Sequence, residues 1–153
     1  MDPETRLQEL HLTLPPAAKP IGVYKPAVQT GNLLFTSGHG PLQPDGKLIL
    51  GVVGKDLTLE QGYQAARQTG LAILATLGAN LGSLNKVKRL VKTLGLVNCT
   101  AEFKDHPKVI NGFSELMAEV FGPERGIGAR SAVGTLSLPG NMAVEVECIF
   151  EIG

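Results

Sequence analysis

ARSAVGTLSLPGNMAVEVECIFEI (Ala129–Ile152) is the stretch on which the reading of this chain turns. From Val144 onward it alternates with the period of a strand, so Val144, Val146, Cys148, Phe150 and Ile152 share one face. The opposite face carries Glu145, Glu147 and Glu151 with Ala143 and Ile149 among them. A regular apolar row wants a core. A row that mixes acids with apolar side chains is better explained by partial burial against another subunit than by open solvent, so a homo-oligomer is expected. Upstream, RSAVGTL reads as a partner strand, joined to the last one in a hairpin through SLPGN.

Working outward, KRLVKTLGLVNCT gives a strong strand from about Lys88 to Cys99. Between it and RSAVGTL lies a helix that starts after Asp105, with Pro107 in its first turn. Its core face is Val109, Ile110, Phe113, Leu116, Met117, Val120 and Phe121, and Gly122-Pro123 ends it. An earlier helix starts at Asp56 as N-cap, carries Tyr63, Ala66, Gly70, Ile73, Leu74 and Leu77 at helical spacing, and stops at Gly78. Before it, AVQT and NLLFTSG meet across Gly31-Asn32 as a hairpin, and a Pro44–Gly46 turn leads into a third extended run, Leu48–Leu50. Asp2 and Pro3 open a short N-terminal helix with Leu7 and Leu10 on one side, which LPPAAKP terminates. Residues 1–20 read as an N-terminal extension and 21–153 as one domain. The order β-β-β-α-β-α-β-β predicts a two-layer α+β fold: a mixed sheet with two helices on one face and the other face bare.

Composition narrows the function classes. Fourteen Lys and Arg balance fourteen Asp and Glu with no basic run, so the chain lacks the electrostatic footprint of a nucleic-acid binder. Its apolar runs are too short for a membrane span and MDPETRLQEL is too charged for a secretory signal, which predicts a cytoplasmic protein. Cys99 and Cys148 are too few for a disulfide framework and sit in strand patterns as small core residues. GVVGKD lacks the first glycine and the Ser/Thr of a phosphate loop, and FTSGHG lacks the leading glycine of a nucleophile elbow. His11, His39 and His106 have no ligand spacing, so no metal site is expected, and His39 reads as a polar loop residue.

GNLLFTSGHGP, LVKTLGLVN and the closing ARS, LPG and VEVE motifs together resemble the Rid/YjgF family of reactive-intermediate deaminases, once called L-PSP endoribonucleases. The similarity runs in order from about Ile21 to Ile152. It implies a chorismate-mutase-like fold assembled as a homotrimer, with the sheets forming a central barrel and sites in the clefts between subunits. It also implies hydrolysis of 2-imino acids, or their 2-enamino tautomers, to 2-oxo acids and ammonia, without metal or organic cofactor. By position, Arg130 matches the arginine that grips the substrate carboxylate and Glu145 the acid that positions water. Tyr24, Ser37, Gly38 and Asn111 fall at pocket positions, and Ala132 stands where some members have cysteine. His39-Gly40 departs from the better-known members. A planar guanidinium suits a carboxylate, and an already electrophilic C=N carbon needs only an oriented water and a proton route. A non-catalytic module binding small carboxylates in the same cleft is the alternative, and the endoribonuclease reading is the least favoured.

Overall fold

A computed structural model describes residues 1–153. The elements are α1 (Pro3–Glu9), β1 (Ala27–Thr30), β2 (Leu33–Thr36), α2 (Leu59–Leu81), β3 (Val87–Asn98), α3 (His106–Phe121), the single turn α4 (Pro123–Gly126), β4 (Ala129–Thr135) and β5 (Val144–Ile152). The five strands form one mixed sheet in the order β1-β2-β5-β3-β4, with the long helices on one face. The α+β architecture expected from the sequence is therefore present.

Its topology corrects two expectations. β4 and β5 do not form a hairpin, because β3 lies between them, parallel to β4 and antiparallel to β5. β3 and β4 are joined through a helix, the kind of crossover that a parallel pair requires. The SLPGN segment accordingly crosses the end of β3 rather than turning tightly. Asn98 holds it there, accepting nothing at its own side-chain oxygen but donating its amide to Asn141 Oδ1 at 3.1 Å and to the Met142 carbonyl at 3.2 Å. The second correction concerns Leu48–Leu50, which makes only isolated bridges to Leu42 and Met142. Gly46, Gly51 and Gly54 all take positive φ around it, and a strand cannot run through such punctuation.

The helix limits also move. Thr58, not Asp56, is the N-cap of α2: its hydroxyl accepts from Gln61 N–H while the Gln61 side chain returns to Thr58 N–H. Asp56 instead closes the preceding turn by accepting from Val52 N–H. α2 passes through Gly78 and ends at Gly82, which takes the left-handed conformation at the cap. Asp105 and Gly122 bound α3 as the sequence predicts, and its seven expected core residues are all buried.

The core lies between helices and sheet, with Phe113 of α3 and Phe150 of β5 fully buried. α3 seats directly on β3 because Gly95 has no side chain: a Cβ there would stand 2.7 Å from Ile110. α3 and α2 approach equally closely at Gly112, where a Cβ would run into the backbone carbonyl of Tyr63. Val144, Val146, Cys148, Phe150 and Ile152 point inward and Glu145, Glu147, Ile149 and Glu151 do not, as the alternation predicts. Both cysteines are buried. The N-terminal segment lies on this body. Glu4 accepts from Leu84 N–H at 2.8 Å, Arg6 donates to the Glu119 carbonyl at 3.0 Å, and Leu7, Leu10, Leu12 and Leu14 pack against the core. No helix is long and apolar enough to cross a membrane.

Candidate functional site

Four of the predicted site residues, Tyr24, Ser37, Gly38 and Glu145, line one cavity of about 730 Å³. The segment after β2 reaches it because His39 makes a two-way backbone bridge with Val146 of β5, 2.9 Å in each direction. That bridge lays Gly38 directly under the Glu145 side chain. A Cβ at residue 38 would collide with the Glu145 carboxylate, so only glycine permits this approach. Ser37 donates its hydroxyl to the Lys25 carbonyl at 2.5 Å, tying the stretch that carries Tyr24 to the cavity rim. Burial pushes the Glu145 carboxyl above the usual carboxylate range, and the neighbouring Glu147 charge adds to the shift.

His39 is not the polar loop residue the sequence suggested. It is buried, with Nδ1–H donating to the Ser37 carbonyl at 2.7 Å and Nε2 accepting from the Thr76 hydroxyl at 2.7 Å. The carbonyl can only accept, which fixes the proton on Nδ1. Burial lowers the pKa of the ring and keeps it neutral. It therefore braces the Ser37-Gly38 stretch from behind.

The remaining predicted residues gather elsewhere. Arg130 lies on the edge strand β4, opposite Thr93, which is in turn opposite Cys148. Thr93 and Cys148 face the helices, so Arg130 does too, and Nη1 donates to Asn111 Oδ1 at 2.8 Å and Ser114 Oγ at 3.1 Å on α3. Ala132, two residues on, shares that side and is partly buried against the core. Glu145 points the other way. Within one chain, then, Arg130 and Glu145 lie on opposite faces of the sheet with β3 between their strands.

The chemistry of the edge cluster is distinctive. Arg130 is exposed and both of its partners are neutral; the ion pairs of the chain are Arg6–Glu9, Arg67–Glu119 and Lys108–Asp105. The guanidinium is oriented but keeps donors free for an external carboxylate. Ser114 was missed by sequence reasoning, although its spacing from Asn111 puts both on one helix face. Leu48 and Met142, also cavity-lining, were missed because they belong to segments without a regular period, while Glu147, which the sequence placed in the mixed row of β5, lines the cavity too. No three His, Cys, Asp or Glu side chains converge in a way that would hold a metal ion.

Comparison with known proteins identifies the family. Residues 4–151 match the profile of the family described as "YjgF/chorismate_mutase-like, putative endoribonuclease". Protein TCP17 of Trypanosoma cruzi is 40% identical over 146 residues, 95% of this chain and 91% of its own length. A 2-iminobutanoate/2-iminopropanoate deaminase of Dermatophagoides farinae is 29% identical, covering 92% of this chain and 94% of its own. Among solved structures, a protein of unknown function from Agrobacterium tumefaciens superposes with a TM-score of 0.90 at 42% identity, over 99% of this chain and 92% of the other. One from Shewanella oneidensis, bearing the same endoribonuclease description, gives 0.94 at 34% identity over 99% and 100%. With sheet order, helix placement and sequence all in agreement, the chain belongs to the Rid/YjgF (L-PSP) family.

Proposed function

We propose that the protein hydrolyses 2-imino acids, or their 2-enamino tautomers, to 2-oxo acids and ammonia, in clefts that two copies of the chain build together. The observation that carries this reading is the division of the site. One half offers a part-buried carboxylate pinned over Gly38, and the other an oriented arginine with no acid partner. A substrate with a carboxylate beside an electrophilic carbon needs both. The resemblance to a named deaminase supports the choice of reaction.

In the proposed cleft, Arg130 of one copy binds the substrate carboxylate and Asn111 and Ser114 hold its guanidinium in plane. Glu145 of the other copy accepts a proton from water as the water oxygen bonds to the iminium carbon. The tetrahedral carbinolamine then receives that proton on nitrogen, the C–N bond breaks, ammonia leaves, and loss of the hydroxyl proton gives the 2-oxo acid. A carboxylate with a raised pKa takes a proton from water more readily than an ordinary glutamate, and its carboxyl form is still acid enough to protonate the carbinolamine nitrogen. Assembly as a homotrimer is part of the proposal, and it gives the mixed row Glu145–Glu151 a neighbour to face.

The test is ammonia release from imino acids generated in situ by an amino-acid oxidase. The proposal expects acceleration by the protein and none by Arg130→Ala. Ligand-induced thermal stabilisation without turnover would instead identify a carboxylate-binding module.

A further inference from the structure

Beside its acids and Lys19, the cavity has an apolar part to its lining. Leu42, Leu48, Ala72 and Met142 line it, and none of the four side chains offers a strong hydrogen-bond donor or acceptor. These walls are fixed in place. Leu48 and Met142 close on Gly40, where a Cβ would collide with Met142 and stand 3.2 Å from Leu48. Gln68 of α2 donates to the Leu42 carbonyl at 2.7 Å. Ile49 accepts from Ala143 N–H at 3.1 Å, and Gly51 N–H donates to the Asn141 carbonyl at 2.9 Å. α2 contributes the small Ala72 to the lining.

We infer that this chamber receives the substrate's side chain, and that the preferred substrates carry a bulky apolar one, branched aliphatic or aromatic. The inference rests on the imino-acid reading for the identity of the head group. The whole cavity, head-group end included, measures about 730 Å³, within the ~300–1,000 Å³ of pockets that enclose drug-like molecules and more than a substrate with a one- or two-carbon side chain fills. A polar side chain packed against Leu42, Leu48, Ala72 and Met142 would give up its bonds to water with nothing in return from them. An apolar one leaves water at no such cost. Leu48 and Met142 are the specificity-determining residues, because they are the two large apolar side chains that close together on Gly40 in the cavity wall.

The experiment measures kcat/KM of the full-length protein for imino acids generated from alanine, leucine and phenylalanine. In parallel it records the Tm shift produced by pyruvate, 4-methyl-2-oxopentanoate and phenylpyruvate. The leucine- and phenylalanine-derived imines are expected to be at least about tenfold better than the alanine-derived one, and Leu48→Ser to cut that ratio by about tenfold. Met142→Leu, which conserves volume and polarity, keeps the ratio. A preference for the alanine-derived imine, or a ratio that Leu48→Ser leaves unmoved, overturns the chamber assignment while leaving the deaminase reading intact. Absence of turnover with larger Tm shifts for the bulky oxo acids than for pyruvate overturns the deaminase reading and supports the chamber. Equal shifts for all three, or none, overturn the chamber as well.

Discussion

Glu145 and Arg130 stand on strands that both pair with β3, yet their surroundings differ in kind. Around Glu145 the chain has done everything: a bridged segment, a glycine without which the carboxylate would have no room, a neutral buried histidine behind it and a walled cavity in front. Around Arg130 it has stopped halfway. The guanidinium is aimed by Asn111 and Ser114, but it lies on an edge strand, exposed, and outside the cavity that Glu145 lines. An unpaired edge beside a prepared cation is a surface shaped for something outside the chain. On the proposed reading, that something is a second copy carrying the cavity half, and the asymmetry is what lets one fold repeat build a site from unlike pieces.

Substitutions break this comparison in graded ways. The largest effect belongs to Glu145→Gln, which keeps the shape but removes the proton acceptor. A loss in kcat of about 10²–10⁴-fold is expected, with oxo-acid binding at the arginine half retained in a thermal-shift titration. A second contrast separates the cavity from the core. Gly112→Ala drives a methyl into the Tyr63 carbonyl and should destabilise the fold by about 1–3 kcal/mol in denaturant unfolding. Gly38→Ala meets only the end of the Glu145 side chain, so it should displace that carboxylate and lower activity while leaving the unfolding midpoint nearly unchanged.

Asn111→Ala should act on the edge half alone. It frees the guanidinium without removing it, and a roughly tenfold weaker apparent affinity for carboxylate ligands is expected, corresponding to about 1.4 kcal/mol for one charge-assisted bond. The smallest effect is a shift on the pH axis. Glu145 titrates above its ordinary 4.5, mainly through burial and secondarily through Glu147. Activity that needs the ionised form should therefore fall on acidification through a pKa higher than 4.5, and Glu147→Gln should move that limb toward acid. The sign for stability is opposite. A carboxyl raised in the folded state favours folding at low pH, and that contribution is lost as pH rises through the raised value.

Much of this was legible in the sequence, and the rest was not for definite reasons. Alternation along Val144–Ile152 identified which face of β5 is buried, and helical spacing identified the whole core face of α3, because periodicity is a local signal. The family resemblance named the members of both halves, but no pattern along one chain says that Arg130 and Glu145 point to opposite sides. That follows from register and topology. The mistaken hairpin had the same source: two strands joined by a turn-like segment look adjacent until the helix before them is counted. The role of Leu48 was hidden because its apolar run carries no period when glycines fold it into a cavity wall. His39 could not be placed by motif at all, since its role depends on Thr76, a partner 37 residues away.

The central claim is that the two halves meet across copies, and subunit complementation tests it most directly. Arg130→Ala and Glu145→Gln chains, each inactive alone, are mixed in equal amounts, exchanged to random oligomers and assayed for imino-acid hydrolysis. If each site takes its arginine from one copy and its glutamate from the next, about a quarter of the wild-type activity returns, the fraction of sites in a randomly mixed ring that receive both intact residues. If the mixture stays as inactive as its components although the oligomers have exchanged, the site is not shared between copies and the account fails.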